Sequence, residues 1–419
     1  MSDVAEQRPV VELSLMKQRP FVLFWLARLS ATMGYHMTAI TIGWQVYALT
    51  NNALDLGYIG LIQFIPSVLF TLVVGHAADR YDRRTIVRGA QSIYVIVAVI
   101  LTYAFSTGAL SRELLFGCVL LIGCARAFEM PTAHTLASTL VPTNMISRAI
   151  AAWTSANQSA VICGPALGGL LYTISPVIVT VVCFIFFTIS ITLISFVQIK
   201  TIPAAKREPV TFASVTAGFE YVWVRPRLLG VITLDLFVML LAGTTALLPI
   251  FARDILAVGP IGLGLLRSAP AVGALGMALW MSYYPVERHI GIKMFTVVAL
   301  YGAITVVFGL STWFPLSLVA LACLGAVDAI SVVIRFSIVQ IETPDEKRGR
   351  VSAINYLLVG SSNTLGEFES GLVASWFGAV ASVVIGGVGS LLIAGIWMGL
   401  FPALRKVDRF EPADEQKSA

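Results

Sequence analysis

Gly75-His-Ala-Ala-Asp79-Arg80-Tyr-Asp82-Arg83-Arg84 is the densest run of charge in the first half of the chain. One greasy segment, Leu56 to Val74, leads into it, and another, Ile86 to Phe105, leads out. Arginines between two apolar segments of that length predict a cytoplasmic loop, because basic residues are retained on that side of a membrane. Retention of charge accounts for the arginines. It does not account for Gly75 and Asp79.

The surrounding composition fits the same reading. Hydrophobic residues make up 57% of the 419 and charged residues 12%, with a mean hydropathy of +0.85. Soluble domains carry about 25% charged residues, so this chain is built for lipid. A membrane-spanning helix takes about 20 mostly apolar residues. The chain offers twelve such segments, at 21–49, 56–75, 86–107, 113–137, 148–173, 177–198, 228–251, 261–282, 293–311, 315–341, 351–374 and 379–401. The first follows Lys17-Gln-Arg19-Pro20 and is too long for a signal-peptide core, so it is expected to be retained.

Basic residues orient these spans. With both termini inside, one face collects Lys17, Arg19, the loop arginines, Arg148, the central-loop bases and the basic tail, while the other holds Arg112 and Arg253. The net charge of +5 is therefore a topology signal and makes no case for nucleic acid. The five cysteines lie inside apolar segments without C-x-x-C spacing, so neither a disulfide nor a metal site is expected. No nucleophile–base pair or cofactor fingerprint stands out, and no enzyme activity or cofactor is expected. Seven tryptophans fall near span ends, where an amphipathic ring sits well.

The two halves repeat each other. Gly60-x5-Pro66 is matched by Gly264-x5-Pro270, and Pro142-x5-Arg148 by Pro344-x5-Arg350. Gly164-Pro-Ala-Leu-Gly168-Gly169 falls on Gly366-Glu-Phe-Glu-Ser-Gly371. Internal repeats of this kind are the mark of a transporter built from two related bundles. The expectation is an all-α membrane protein of twelve transmembrane helices. Residues 1–199 and 228–419 form two six-helix bundles, joined by a cytoplasmic loop at 200–227 and ending in a cytoplasmic tail.

Charge inside a span is costly, so it needs a partner or a wet cavity. The candidates are Arg28 in span 1, Arg126 and Glu129 in span 4, Asp235 in span 7, and Asp328 and Arg335 in span 10. Spans 8 and 11 add Arg267, Glu367 and Glu369. Arg126 and Glu129 are three apart and so neighbours on one helix face; they read as a substrate-binding or proton-linked pair, or as a self-neutralising one. Asp235 and Asp328 have no opposite charge one turn away. Each must find a partner on another helix or exchange protons, because desolvation disfavours the charged carboxylate. Arg335 shares a face with Asp328 about 10 Å along the helix, beyond direct contact. Arg28 is close enough to the cytoplasmic end to snorkel there. Glu367 and Glu369 point to different sides of their helix, so at most one faces a cavity. His36 and His134 read as hydrogen-bonded structural residues. Gly164, Pro165, Gly168 and Gly169 predict a close-packed, pliable helix seam.

The pattern G-x-x-x-D-R-x-x-R-R resembles the signature loop between helices 2 and 3 of the major facilitator superfamily, which usually has Gly where Asp82 stands. The resemblance implies a gating role for Gly75, Asp79, Arg80, Arg83 and Arg84, and a central cavity lined by spans 1, 4, 7 and 10. The Gly164–Gly169 run resembles the span-5 motif of exporters in that superfamily. Their span-4 arginine followed by x-x-Gln-Gly is missing: the region reads Gly123-Cys-Ala-Arg126-Ala-Phe-Glu129-Met-Pro131. Ser14-Leu-Met-Lys-Gln-Arg-Pro20, Leu26-Ala-Arg28, Gln340-Ile-Glu-Thr-Pro344 and Gly349-Arg350-Val are similar to the bacterial enterobactin-exporter group. That resemblance implies a monomeric, proton-driven exporter of an amphipathic small molecule, siderophore or drug-like, in the bacterial cytoplasmic membrane. Substrate, protons and the lipid bilayer are then its partners. A lysophospholipid flippase and a non-transporting membrane receptor or assembly partner are the alternatives.

Overall fold

The computed structural model describes residues 15–70, 81–198 and 219–410. Gly75, Asp79 and Arg80 of the charged loop lie outside them, as do the side chains of His134 and Arg350. Among the described residues, twelve long helices follow one another with no strand between. They are α1 (Arg19–Thr50), α2 (Ala53–Leu69), α3 (Arg83–Thr107), α4 (Arg112–Thr139), α5 (Ile146–Ile174) and α6 (Pro176–Ser195), then α7 (Pro226–Leu241), α8 (Gly259–Tyr283), α9 (Ile290–Leu310), α10 (Phe314–Ile341), α11 (Asp345–Phe377) and α12 (Ala379–Leu400). Eight of these are long and apolar enough to cross a membrane: α3, α4, α6, α7 with its continuation to Ile255, α8, α9, α10 and α12.

Short polar turns punctuate the chain where the first free N–H groups of a helix need an acceptor. Asn52 caps α2 at Leu54 N, 2.9 Å, and Ser111 caps α4 at Leu114 N, 3.1 Å. Asp82 caps α3, accepting from Arg84 N at 2.9 Å. This gives the aspartate that stands in the usual glycine position a local job. Arg84 reaches across to donate to the Val197 carbonyl beyond the end of α6, 3.1 Å away. Of the five residues expected to gate, the two that are described, Arg83 and Arg84, thus belong to the first turn of α3.

Helix packing follows one scheme twice. In the first six helices α1 packs on α5 and α6, α3 on α4 and α6, and α2 on α4. In the last six, α7 packs on α11 and α12, α9 on α10 and α12, and α8 on α10. Each pairing recurs six helices later. The two sets meet through α2 with α11 and α5 with α8, which also exchange under the same shift.

Glycine permits these approaches. A side chain at Gly164 would meet His36 Cβ at 2.8 Å, and one at Gly168 would meet Met37 Cα at 3.0 Å, both on α1. Gly169 faces the other way, against Gly264 of α8, whose Cα is 3.1 Å from where its Cβ would stand. The seam expected from the sequence therefore binds α5 to α1 within one set and to α8 across the sets.

Candidate functional site

Four of the charges singled out in the sequence form two buried ion pairs. Arg28 of α1 donates to Glu129 of α4 at 2.5 Å, and both residues are 4% exposed. Tyr94 of α3 donates to the second carboxylate oxygen of Glu129 at 2.9 Å. In the other set, Asp235 of α7 pairs with Arg335 of α10, 4% and 3% exposed.

These pairs correct two expectations and decide a third point. Glu129 is not the partner of Arg126; three residues along a helix differ by about 60° in direction, enough to turn Glu129 toward α1 and α3 and Arg126 elsewhere. Arg28 does not snorkel, because Glu129 holds it inside. Of the two alternatives open for Asp235, a partner on another helix or proton exchange, it meets the first, since α10 brings Arg335 to it.

Arg126 lies over the ring of Tyr35, its guanidinium carbon 4.1 Å from the ring centre, an attraction of a cation to the negative ring face. Tyr35 donates to Gln63 of α2 at 3.3 Å and meets His36 edge to face at 5.1 Å. Across the set boundary, Glu367 of α11 lies within electrostatic reach of both Arg126 and Arg267 of α8, with Thr245 beside it. His36 feels the same two arginines. Arg126, Arg267, Glu367, Tyr35 and His36 are half-buried, and they come from both sets.

Two backbone features let it assemble. Gly60 of α2 lies under Glu367, whose Cβ is 2.8 Å from the position a side chain there would need. The α7 helix breaks at Ala242–Gly243, and a 3-10 turn at Thr244–Leu247 follows, which carries Thr245 to the glutamate. Broken helices at mid-membrane expose polar groups where a ligand can use them. Glu369 is turned away and accepts from Ser370 at 3.4 Å. Tyr35, Gln63 and Thr245 escaped the sequence reading, which searched for full charges.

Cross-set hydrogen bonds run from mid-helix toward the end where α1 and the α7 continuation finish. Gln158 donates to the Ala271 carbonyl at 3.0 Å, and Ser268 to that of Ile162 at 2.6 Å. At the far end Tyr47 donates to the Asp254 carboxylate, and Arg253 donates back to the Tyr47 carbonyl at 3.2 Å.

A family model described as transmembrane secretion effector matches residues 11–418. The chain belongs to the transmembrane secretion effector family. Relatives of the chain include the multidrug efflux pump Tap of Mycolicibacterium fortuitum, 27% identical over 94% of this chain and 98% of that one. The enterobactin exporter EntS of Escherichia coli is 23% identical over 97% and 98%. Among solved structures, a bacterial homologue of the iron transporter ferroportin in an inward-facing state has a TM-score of 0.71 at 15% identity. It covers 94% of this chain and is itself covered completely, 100%. A bacterial homologue of the lysosomal transporter Spinster, inward-facing and unoccupied, has a TM-score of 0.72 at 15% identity over 94% of this chain and 99% of that one. The chain thus shares the all-helical fold of these transporters.

Proposed function

We propose that the chain is a secondary exporter of an amphipathic, anionic or polyphenolic small molecule, driven by the proton gradient across a bacterial cytoplasmic membrane. The observation that carries this is the cluster of Arg126, Arg267 and Glu367 on Tyr35, built from both helix sets at the depth where charge is costly. Two guanidinium groups against one carboxylate leave a positive surplus for a substrate anion, and the Tyr35 ring offers an aromatic face. Guanidinium forks suit oxygen acids.

In this reading all twelve helices span the membrane, both termini are cytoplasmic, and residues 1–199 and 228–419 rock as two bundles. The Tyr47–Asp254–Arg253 contacts then close the outer end, and the chain stands open to the cytoplasm. The relatives' roles, efflux of drugs and export of enterobactin, fit a substrate of this chemistry.

The test is transport into inside-out vesicles of an anionic catecholate and of a neutral amphipathic dye. Arg126→Gln is expected to raise KM for the catecholate by about ten- to a hundredfold, the worth of one charged hydrogen bond, and to spare the dye. Arg126→Lys restores part, because the planar fork is lost. Equal losses for both compounds, repaired by adding Glu367→Gln, would make the cluster a packing device instead.

A further inference from the structure

Tyr301 of α9 stands 207 residues beyond Tyr94 (301 − 94), the same shift that relates Asp235 to Arg28 (235 − 28). Tyr94 completes the Arg28–Glu129 pair by donating to the free carboxylate oxygen. In the other set Asp235 Oδ2 is buried and has no hydrogen-bond partner. Between Asp235 and Tyr301 lies a pocket, which Asp328 and Ser331 of α10 also line; the rest of its wall is four valines and Met239. Asp328 is an addition. Glu129 and Arg335 are 206 apart (335 − 129), and that shift sets Asp328 against Ile122 of α4, a buried apolar residue.

The charges around Asp328 can be counted by element. From α7 comes Asp235 and from α10 itself Arg335, and these two neutralise each other. From α9 comes Tyr301. The neighbouring helix α8 meets α10 through Gly273 against Ala322, and its Arg267 serves Glu367. One negative charge is left over in a mostly apolar pocket. A buried carboxylate in that position sheds its charge by taking up a proton.

Building on the proton-driven exporter reading, we propose that this pocket holds the coupling proton inside the second helix set, apart from the substrate cluster. Asp328 binds one proton at a carboxylate oxygen, becomes neutral, and releases it as the bundles change over; Asp235 and Arg335 stay paired throughout. A metal cation is the poorer fit. Hard cations take six or more oxygen ligands, while Ser331 is turned toward Met294 Sδ at 3.7 Å and the remaining wall is hydrocarbon. The two sites communicate through α7. Asp235, Val238 and Met239 line the pocket, the Met239 carbonyl abuts Gly366, and Glu367 is the next residue. Proton binding can thereby shift how α7 sits against the substrate glutamate, which is the differential contact that coupling requires.

Two measurements test this. Carbodiimides modify protonated carboxyls in apolar surroundings, so purified wild-type protein is labelled across pH 5–9 and the sites are mapped by mass spectrometry. Labelling at Asp328 that falls as pH rises is expected, with Asp235 and Glu129 unmodified. Unlabelled Asp328 at every pH overturns the proposal, and so does protection by sodium at constant pH, which would mark a sodium site. In proteoliposomes, Asp328→Asn is expected to lose at least tenfold of pH-gradient-driven accumulation while counterflow without a gradient persists, and Asp328→Glu to retain part. Full accumulation in the Asn variant, or loss of counterflow in both variants, overturns the site. A wild type that accumulates nothing under a pH gradient defeats the exporter reading instead, and the labelling still decides where the proton binds.

Discussion

The two buried ion pairs occupy corresponding positions and have opposite polarity: α1 supplies the arginine in the first set, while its counterpart α7 supplies the acid in the second. The repeat therefore preserves which helices touch and leaves the direction of charge free. What differs is how each pair is finished. In the first, Tyr94 completes the carboxylate, and the atom left without a partner is Arg28 Nε on the basic side. The second keeps a carboxylate oxygen unpartnered beside a pocket with a further acid. A sealed pair serves stability; an unfinished one next to Asp328 leaves room for chemistry.

Breaking the sealed pair should have the largest effect. Glu129→Gln leaves Arg28 charged, buried and uncompensated, which costs about 3–5 kcal/mol. Thermal unfolding in detergent should report it as a large fall in Tm. The double change Arg28→Met with Glu129→Leu should recover most of the loss, because apolar groups of similar volume often replace a buried pair without penalty. A single variant within about 0.5 kcal/mol of wild type, an ordinary surface value, would remove the structural assignment.

Breaking the unfinished pair should cost less in stability and more in function. Asp235→Asn leaves Arg335 without its partner, an expected loss of about 3 kcal/mol at the lower end of such changes. The uncompensated guanidinium then leaves a positive charge on the face of α10 that Asp328 shares, and a nearby opposite charge favours the ionised carboxylate. Gradient-driven accumulation should vanish although Asp235 carries no proton. Adding Arg335→Gln should bring accumulation back, measured in the same proteoliposomes. Failure of that rescue would make Asp235 itself a carrier.

The sequence revealed the charges but not their partners. Arg28, Glu129, Asp235 and Arg335 were legible as intramembrane charges on spans 1, 4, 7 and 10, because polarity within an apolar run is a one-dimensional signal. Which neighbour a side chain meets depends on helix rotation, and two residues one turn apart, Arg126 and Glu129, serve different sites. The central break in α7 left no clear mark either, since Ala242-Gly243-Thr244 reads as ordinary span. The glycine seam was readable because close approach demands small residues at fixed spacing. One signal was present and overlooked. Tyr94 and Tyr301 share the 207-residue shift of Arg28 and Asp235, so the repeat, laid over the charges, would have pointed to both tyrosines.

Those tyrosines provide the smallest and sharpest test. Tyr94→Phe keeps the ring, which packs at 5.2 Å against Phe187, and removes only the hydroxyl that donates to Glu129 at 2.9 Å. A hydrogen bond to a charged group contributes about 1.5–3 kcal/mol, so this variant should lose that much. Tyr301→Phe should lose under about 0.5 kcal/mol, because Asp235 Oδ2 takes no hydrogen bond from the Tyr301 hydroxyl. Urea or thermal unfolding of the two variants side by side measures the difference directly. Equal losses would mean that the Tyr301 hydroxyl does for Asp235 what Tyr94 does for Glu129. The second pair would then be as sealed as the first, and Asp328 would be left without the open flank that its proton needs.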